Sequence, residues 1–353
     1  MPLPDLLERL LTTPGPSGQE RAAAAVWREA AAAVGEVSSD VLGSSWVRVP
    51  GVAGGPSLAL VGHIDEIGAV VTHLGDDGFA ALRPLGGFDP HTMLGQRVDV
   101  LTREGAVPGV VAGRQQKRKR GEDRKPLDYD DLFLDVGAKD GEELRGIVRP
   151  GDALVWHGAP VALRGNRVAS RSFDNRIGCY VALEAARRVG ERGGGPGDVI
   201  AVAAVQEEVG DYAGSRTAAF TTEPDVAIAI DVTRATDVRG ADHDDEGKVV
   251  LGSGATLTRG PSLNPEVFEL LHETAEAEGI PFSIEVSRGT TYTDADALYL
   301  SRAGVPTGLV SIPLRYMHSP IETADLDDID QVVRLIVAFA FRLSERSFAS
   351  PAG

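Results

Sequence analysis

The chain changes twice between two kinds of pattern, and this change constrains its fold more than any other feature. After Asp174, short apolar runs alternate with stretches of helical periodicity, as in the helical stretch 175–189 followed by the apolar run 199–205. Strands separated by helices in this way form a mostly parallel sheet that helices cover on both faces. The segment before His73 has the same character. We therefore predict an α/β fold with a mostly parallel central sheet and helices on both faces.

Between His73 and Arg164, short β-like pieces alternate with Gly and Pro turns and show little helical periodicity. This pattern is typical of a small β-rich domain. Because α/β character flanks it on both sides, we predict that residues 73–164 form a barrel-like domain inserted into a catalytic domain made of residues 1–72 and 165–353. The insert contains a basic run, Arg114–Arg120, which we interpret as a solvated or mobile loop because no aromatic residues interleave with it.

Composition and termini limit the classes of function. The chain has 35 basic and 52 acidic residues, a formal net charge of −17, which disfavours non-specific binding to nucleic acid or anionic membranes. No stretch approaches the roughly 18 apolar residues of a membrane span, and the N-terminus lacks the pattern of a secretory signal. The single cysteine, Cys179, cannot form an intramolecular disulfide. We therefore expect a cytoplasmic protein with no nucleic-acid or membrane partner and with Cys179 in its core.

Near the N-terminus, Ser17–Glu20 has the Ser-x-x-Glu pattern of a capping box. It precedes an Ala-rich stretch from Arg21 to Val34. The sequence therefore predicts a helix there, with the serine and glutamate side chains capping its first turn.

Histidines and acidic residues follow the predicted strands or begin a predicted helix. Because ligands bind beyond the carboxyl ends of parallel strands, we expect most of these side chains to lie on one rim of the sheet. Taken singly, each has a common structural explanation, such as a helix N-cap for an aspartate or a solvated surface for a Glu-Glu pair. The residues are His63, Asp65, Asp174, Glu207, Glu208, Asp231 and His318.

Two imidazoles with several carboxylates and no thiolate suit Zn²⁺, with Co²⁺ and Mn²⁺ as alternatives. Carboxylates exceed what one tetrahedral ion needs, so the sequence predicts two divalent ions bridged by one carboxylate, for which Asp174 is a reasonable choice. Asp65 lies two residues after His63 in extended chain, points the same way and can orient its ring. Of Glu207 and Glu208, one can bind metal while the other acts as general base.

Five blocks of the sequence resemble those of the glutamyl-aminopeptidase family, which includes the large tetrahedral (TET) aminopeptidases and some proteins labelled as endoglucanases. The likeness runs from about Leu3 to Leu343, with the blocks in the family's order and at its approximate spacing. The blocks are Gly62-His-Ile-Asp-Glu-Ile-Gly68, Ser172-Phe-Asp-Asn-Arg176, Val205-Gln-Glu-Glu-Val-Gly210, Ala229-Ile-Asp-Val232 and Arg315-Tyr-Met-His-Ser-Pro320. Thr293-Asp-Ala295 and Ala303-Gly-Val-Pro-Thr307 also resemble the family's C-terminal half.

The resemblance implies two metal ions bridged by Asp174, with Glu207 as general base and Asp65 orienting His63. The other ligands of the two ions would be His63 and Asp231 for one, and Glu208 and His318 for the other. The inserted domain would make dimer contacts and support higher assembly, typically a hollow tetrahedral dodecamer. The basic run in the insert departs from the family's pattern and leaves the details of these contacts open.

These expectations describe a metal-dependent aminopeptidase that removes N-terminal residues from peptides. A metal-dependent deacylase or a carboxypeptidase-like hydrolase could use the same centre, so both stay as alternatives. An endoglucanase would need two carboxyl groups flanking the glycosidic bond, and two histidines serve no purpose in that mechanism. A non-catalytic scaffold that assembles through the insert is a further alternative. The sequence leaves the preferred N-terminal residue open.

Overall fold

The structure of the chain, a computed structural model, describes residues 2–114, 126–241, 243 and 247–348. The strands in this part of the chain are β1 (Val37–Ser39), β2 (Ser45–Val49), β3 (Leu58–His63), β4 (Gly68–Leu74), β5 (Ala80–Leu85), β6 (Arg97–Thr102), β7 (Gly105–Gly113), β8 (Leu132–Asp135), β9 (Ala153–Trp156), β10 (Val161–Ala162), β11 (Arg167–Ser170), β12 (Val199–Ala204), β13 (Val226–Arg234), β14 (Ala255–Arg259), β15 (Phe282–Val286), β16 (Thr307–Leu314) and β17 (Glu322–Asp325). Apart from Arg114, the predicted basic run Arg114–Arg120 lies outside the described residues.

The helices surround these strands, and the longest of them, α5 and α9, pack together. In chain order, the helices of the described residues are α1 (Asp5–Thr12), α2 (Arg21–Ala31), α3 (Pro90–Met93), α4 (Gly141–Ile147), α5 (Phe173–Glu191), α6 (Ala213–Thr222), α7 (Pro265–Glu278), α8 (Ala295–Leu298) and α9 (Leu326–Arg342). Short 3-10 helices lie at Tyr129–Asp131 and Leu343–Glu345.

The central sheet has eight strands in the order β1-β2-β12-β3-β13-β16-β14-β15. Its four middle strands, β12, β3, β13 and β16, run parallel to one another. Antiparallel pairs join β2 to β12 and β14 to β16, while β14 and β15 are parallel. This arrangement confirms the predicted α/β class. Because parallel strands end at the same edge of a sheet, residues that follow the middle strands meet there.

The middle strands are buried on both faces, as their uninterrupted apolar sequences predict. On β13, Ile228 and Ile230 belong to the larger core, which includes side chains of α5 and α9. Ala227 and Ala229 belong to a smaller core with side chains of α6 and α8. Side chains alternate between the faces of a strand, so Asp231 lies on the face of the smaller core.

The chain leaves the sheet after β3 and forms a closed barrel before it returns to α5. The barrel strands follow each other in the order β4-β5-β8-β7-β6-β9. They enclose a separate apolar core that includes Leu82, Val100, Leu134 and Leu154. The predicted barrel-like unit is therefore present between Gly68 and Trp156, whereas the domain boundaries at 73 and 164 stay a prediction.

The predicted capping box is wrong. Helix α2 begins at Arg21, but no side-chain hydrogen bond caps it. The Glu20 carboxylate accepts the N–H of Gly18 at 2.6 Å, and the Ser17 hydroxyl donates to Asp65 at 2.6 Å. The charged, buried carboxylate of Asp65 is the stronger acceptor for this hydroxyl, and the sequence pattern does not reveal it.

Cys179 lies fully buried in α5, which confirms its predicted place in the core. Its thiol donates to the carbonyl of Gly62 at 3.3 Å. Burial raises the pKa of this thiol, so the reactive thiolate is disfavoured. In the part of the chain that the structure describes, no helix is both long enough and apolar enough to cross a membrane.

Candidate metal centre

The predicted ligands and the predicted base meet at the edge where the parallel strands end. The middle strands of the sheet bring most of them there, because these side chains lie near the carboxyl end of a strand or directly after it. They are His63 at the end of β3, Asp174 in the first turn of α5, Glu207 and Glu208 after β12, Asp231 in β13 and His318 after β16. Their side chains are buried, including that of Glu208, which is 5% exposed. The exception is His318, whose side chain is 29% exposed.

Two sets of three side chains could each hold a metal ion. One set is His63, Asp174 and Asp231, the other is Asp174, Glu208 and His318, and within each set the ligand atoms lie within 4.8 Å of one another. Asp174 belongs to both. Its Oδ1 lies 3.2 Å from His63 Nε2, and its Oδ2 lies 3.2 Å from His318 Nε2. A carboxylate with one oxygen directed to each set has the geometry of a bridge between two cations.

The charges of this cluster favour a bound cation. Burial raises the pKa of Glu208 and of Asp231 well above the usual range, and the negative charge of Asp174 adds to both shifts. For Asp174 itself, burial is outweighed by hydrogen bonding to His318 and His63, which lowers its pKa. The Oε1 atom of Glu208 is buried without a hydrogen-bond partner in the described part of the chain. A divalent cation would satisfy this oxygen and remove the repulsion between the carboxylates, so the donor set fits a metal.

Asp65 lies buried behind His63 and contacts both the histidine ring and the backbone of the two glutamates. Its Oδ1 is 3.4 Å from His63 Nδ1, on the side of the ring away from Asp174. Its two oxygens accept the N–H groups of Glu207 and Glu208, each at 3.1 Å. Burial acts to raise the pKa of Asp65, but the contact with His63 and the hydrogen bonds from its neighbours lower it, so the group is charged. Asp65 thus fixes the backbone of the Glu-Glu pair, which the sequence did not predict.

Glu207 lies on the His63 side of the cluster. Its Oε2 is 3.8 Å from His63 Nε2, and its side chain is 9% exposed. Burial raises the pKa of Glu207 well above its usual range, opposed by His63 and reinforced by the charges of Asp231 and Asp294. A carboxyl group with a raised pKa can accept and return a proton during a reaction.

Two further residues position the candidate ligands, and both were absent from the predicted site. Glu322, fully buried, accepts the N–H of Asp174 at 3.1 Å and the N–H of His318 at 3.0 Å. The amide nitrogen of Asn175 donates to the carbonyl of Ile230 at 2.8 Å, next to Asp231. Asn175 bonds a backbone group that is distant in sequence, and Glu322 joins the nearby N–H of His318 to the distant N–H of Asp174, so no local pattern indicates either role.

We expect Glu322→Ala to weaken metal binding by about 10- to 100-fold. The substitution removes the acceptor of two buried N–H groups, and Asp174 and His318 lose their common support. Calorimetric titration with Zn²⁺ measures the affinity. Thr323→Val is the matched control, because it removes a neighbouring buried hydroxyl that bonds the carbonyl of Ile321. Equal affinities for Glu322→Ala and the unmodified protein would contradict the positioning role.

The chain is similar to known peptidases over nearly its whole length. Residues 43–335 match the family described as M42 glutamyl aminopeptidase. A lysyl aminopeptidase of Pyrococcus furiosus is 34% identical over 354 residues, 98% of each chain. A solved TET aminopeptidase from a marine sediment archaeon, Thaumarchaeota archaeon, superposes with a TM-score of 0.90 at 33% identity and 96% coverage of both chains. The TET1 peptidase of Pyrococcus horikoshii superposes with a TM-score of 0.84 at 29% identity, covering 96% of this chain and 98% of its own. That peptidase can assemble into a tetrahedron or a large octahedral shell.

Proposed function

The chain belongs to the M42 glutamyl aminopeptidase family and is a peptidase hydrolase, and from this we propose that it is an aminopeptidase that works with two divalent metal ions. The observation that carries the two-ion proposal is the position of Asp174. Its two oxygens each lie 3.2 Å from a different histidine, and it is shared by both ligand sets. A site for a single ion would need only one of the two ligand sets.

In this proposal, Asp174 binds both ions. The remaining ligands are His63 and Asp231 for one ion, and Glu208 and His318 for the other. Zn²⁺ is the ion that this mixture of imidazole and carboxylate suits best, and Co²⁺ and Mn²⁺ accept the same ligands. When bound, such ions polarise the scissile carbonyl and lower the pKa of water.

Glu207 is the proposed general base. Its carboxylate takes a proton from the attacking water, and the resulting carboxylic acid returns that proton to the leaving amine. The burial that raises the pKa of Glu207 favours the proton-holding state between these two transfers. Asp65 supports the base by accepting the N–H of Glu207 at 3.1 Å. Asp65 also faces Nδ1 of His63, so that Nε2 of the same ring stays directed at Asp174.

The charge of the site supports an aminopeptidase over a carboxypeptidase. Asp294 is a buried carboxyl group near the cluster that holds no ion in this proposal, and its negative charge would attract the free ammonium group of a peptide. A carboxypeptidase has to hold the C-terminal carboxylate of its substrate, which the same charge would repel. The N-blocked substrates of a deacylase carry no free amine, so this attraction would not help to bind them.

Removal of metal should abolish hydrolysis of aminoacyl-p-nitroanilides, and addition of Zn²⁺ or Co²⁺ should restore it. Dialysis against a chelator, followed by metal analysis and activity measurements, tests this. We also expect the free substrates to be cleaved and their N-acetylated counterparts to be left intact. Full activity in protein shown to be metal-free would contradict the metal mechanism, and cleavage of the acetylated substrates would support the deacylase alternative. Chelator-resistant hydrolysis of a soluble cellulose would instead support the endoglucanase.

We further propose that the chain forms a homo-oligomer built from dimers, with the inserted unit at residues 73–164 in the contacts. The assembly of the TET1 peptidase of Pyrococcus horikoshii into closed shells supports this proposal. Light scattering on the purified protein distinguishes a dimer from a dodecamer. The cytoplasmic location stays a prediction.

A further inference from the structure

The motif Ser17–Glu20, which caps no helix, lies behind the candidate metal centre. Residues 15–17 run beside Glu66, in the loop that follows β3. The N–H of Glu66 donates to the carbonyl of Gly15 at 3.1 Å, and the N–H of Ser17 donates to the carbonyl of Glu66 at 3.3 Å. The N–H of Gly15 donates to the Glu66 carboxylate at 2.9 Å. The segment that carries the serine is therefore fixed against this loop.

A β-turn carries the side chain of Ser17. The N–H of Gln19 donates to the carbonyl of Pro16 at 2.8 Å and closes the turn. Gly18, in the third position of the turn, has a φ of +82°, a left-handed conformation that favours glycine. The Glu20 carboxylate accepts the N–H of Gly18 at 2.6 Å. These bonds hold the turn in one conformation, so the hydroxyl of Ser17 has a defined position.

The Ser17 hydroxyl makes a short hydrogen bond to the Asp65 carboxylate. It lies 2.6 Å from Oδ2 of Asp65. The other groups that face this carboxylate lie further away, at 3.1 Å for the N–H groups of Glu207 and Glu208 and at 3.4 Å for Nδ1 of His63. Both side chains of the bond are buried, that of Asp65 completely. A hydrogen bond to a buried, charged acceptor is stronger than one between neutral groups, so this contact contributes strongly to the position of the carboxylate.

Loss of the hydroxyl would affect several parts of the candidate metal centre at once. Oδ2 of Asp65 would keep the N–H of Glu208 as its hydrogen-bond donor among the described residues. The carboxylate could then turn away from its present orientation. Because Asp65 faces the His63 ring and holds the backbone of Glu207 and Glu208, such a turn would shift a ligand of each metal set together with the base.

The other end of the motif reaches the base from a second direction. Burial raises the pKa of Glu20 to about 7, while hydrogen bonds from the backbone of Gly18 and of Gln206 act to lower it. Gln206 directly precedes Glu207 and has a φ of +59°, a conformation that a residue with a side chain keeps only with support from its neighbours. The contact with Glu20 supplies such support.

We propose that Ser17 is a positioning residue of the enzyme, which holds both the metal ligands and the catalytic base in place through Asp65. The inference rests on the proposed metal-dependent function. Because the hydroxyl acts through Asp65, the effects of replacing Ser17 and of replacing Asp65 should not add. A serine that merely stabilised the N-terminal segment would change the stability of the protein and leave its affinity for metal unchanged.

The test is a double-mutant cycle of Ser17→Ala and Asp65→Asn on the full chain, with Zn²⁺ affinity measured by calorimetric titration. Ser17→Ala should weaken Zn²⁺ binding by about 10-fold, since groups that support metal ligands contribute about 10- to 100-fold. The value of kcat/KM for an aminoacyl-p-nitroanilide should fall in the same range. Asp65→Asn should have the larger effect. Adding Ser17→Ala to it should weaken Zn²⁺ binding by no more than about 2-fold further.

Ser45→Ala is the matched control. It removes a fully buried hydroxyl on β2 that bonds Ser39 and Arg28, away from the candidate metal centre, and should keep the Zn²⁺ affinity. Ser17→Cys keeps nearly the same size and a weaker hydrogen-bond donor. It takes the place of Ser17→Ala in the cycle if the alanine variant does not fold.

A Ser17 variant that binds Zn²⁺ as tightly as the unmodified protein would overturn the inference. Losses that add in the double variant would overturn it as well, because Ser17 would then act independently of Asp65. In both cases, Zn²⁺ binding and anilide cleavage by the unmodified protein would still uphold the proposed function. An unmodified protein that binds no Zn²⁺ and cleaves no anilide would refute the proposed function, and the inference with it.

Discussion

Replacement of Glu207 by glutamine should lower kcat by about 10²- to 10⁴-fold while metal ions remain bound, because this is the range that general-base catalysis contributes. Glutamine has nearly the same size but cannot take the proton of the attacking water. The backbone at this position should stay in place, since Asp65 holds the N–H of residue 207 and that contact does not involve the substituted side chain. Steady-state kinetics and metal analysis by mass spectrometry on the same preparation measure both effects.

Glu208→Gln is the matched control for this experiment, because the two glutamates are adjacent and Asp65 holds both of their N–H groups. We expect the Glu208 variant to lose metal from the set that it shares with His318, and the Glu207 variant to keep it. If the Glu207 variant turns over substrate at the normal rate, Glu207 is not the base. If the Glu207 variant loses metal, Glu207 is a ligand, and the roles of base and ligand must be exchanged between Glu207 and Glu208.

The second large effect is expected for Asp174→Asn, which should remove both metal ions and all hydrolysis. Asp174 is common to both ligand sets, and the neutral amide that replaces it cannot balance the charge of two cations. Asp231 belongs to one set, so Asp231→Asn should leave the second ion bound. Metal content per chain, determined after dialysis against metal-free buffer, distinguishes the two variants. An Asp174 variant that keeps both ions would contradict the bridging geometry, whereas equal losses in both variants would indicate that the two ions bind only together.

The sequence reveals the candidate ligands because their positions follow from local patterns. His63 and Asp231 close apolar runs of strand length, and such runs in a parallel sheet end at the same edge. The polypeptide between them does not affect this conclusion. The adjacent glutamates follow a third run of the same kind. For these residues, recognising a strand and its end is enough to predict that they lie close together.

The supporting residues could not be found in this way. Glu322 acts on two backbone N–H groups, one of which lies at the start of α5, and this contact exists only after the chain has folded. Ser17 illustrates the opposite error, since its local pattern indicates a helix cap while its hydroxyl bonds Asp65, which is distant in sequence. In both cases the deciding partner is remote, and a single sequence does not show which remote groups meet.

The path of the chain through the fold has a consequence for synthesis on the ribosome. The barrel is inserted between His63 and Asp174, and His318 follows much later, so the ligands of one centre emerge at widely separated times. The barrel pairs only its own strands and can fold as soon as it has left the ribosome, because domains generally fold as units during translation. The candidate metal centre is complete only after β16 and the loop behind it have been synthesised. We therefore expect the barrel to fold in the nascent chain before the candidate metal centre is complete. Metal ions would then bind only in the last stage of synthesis.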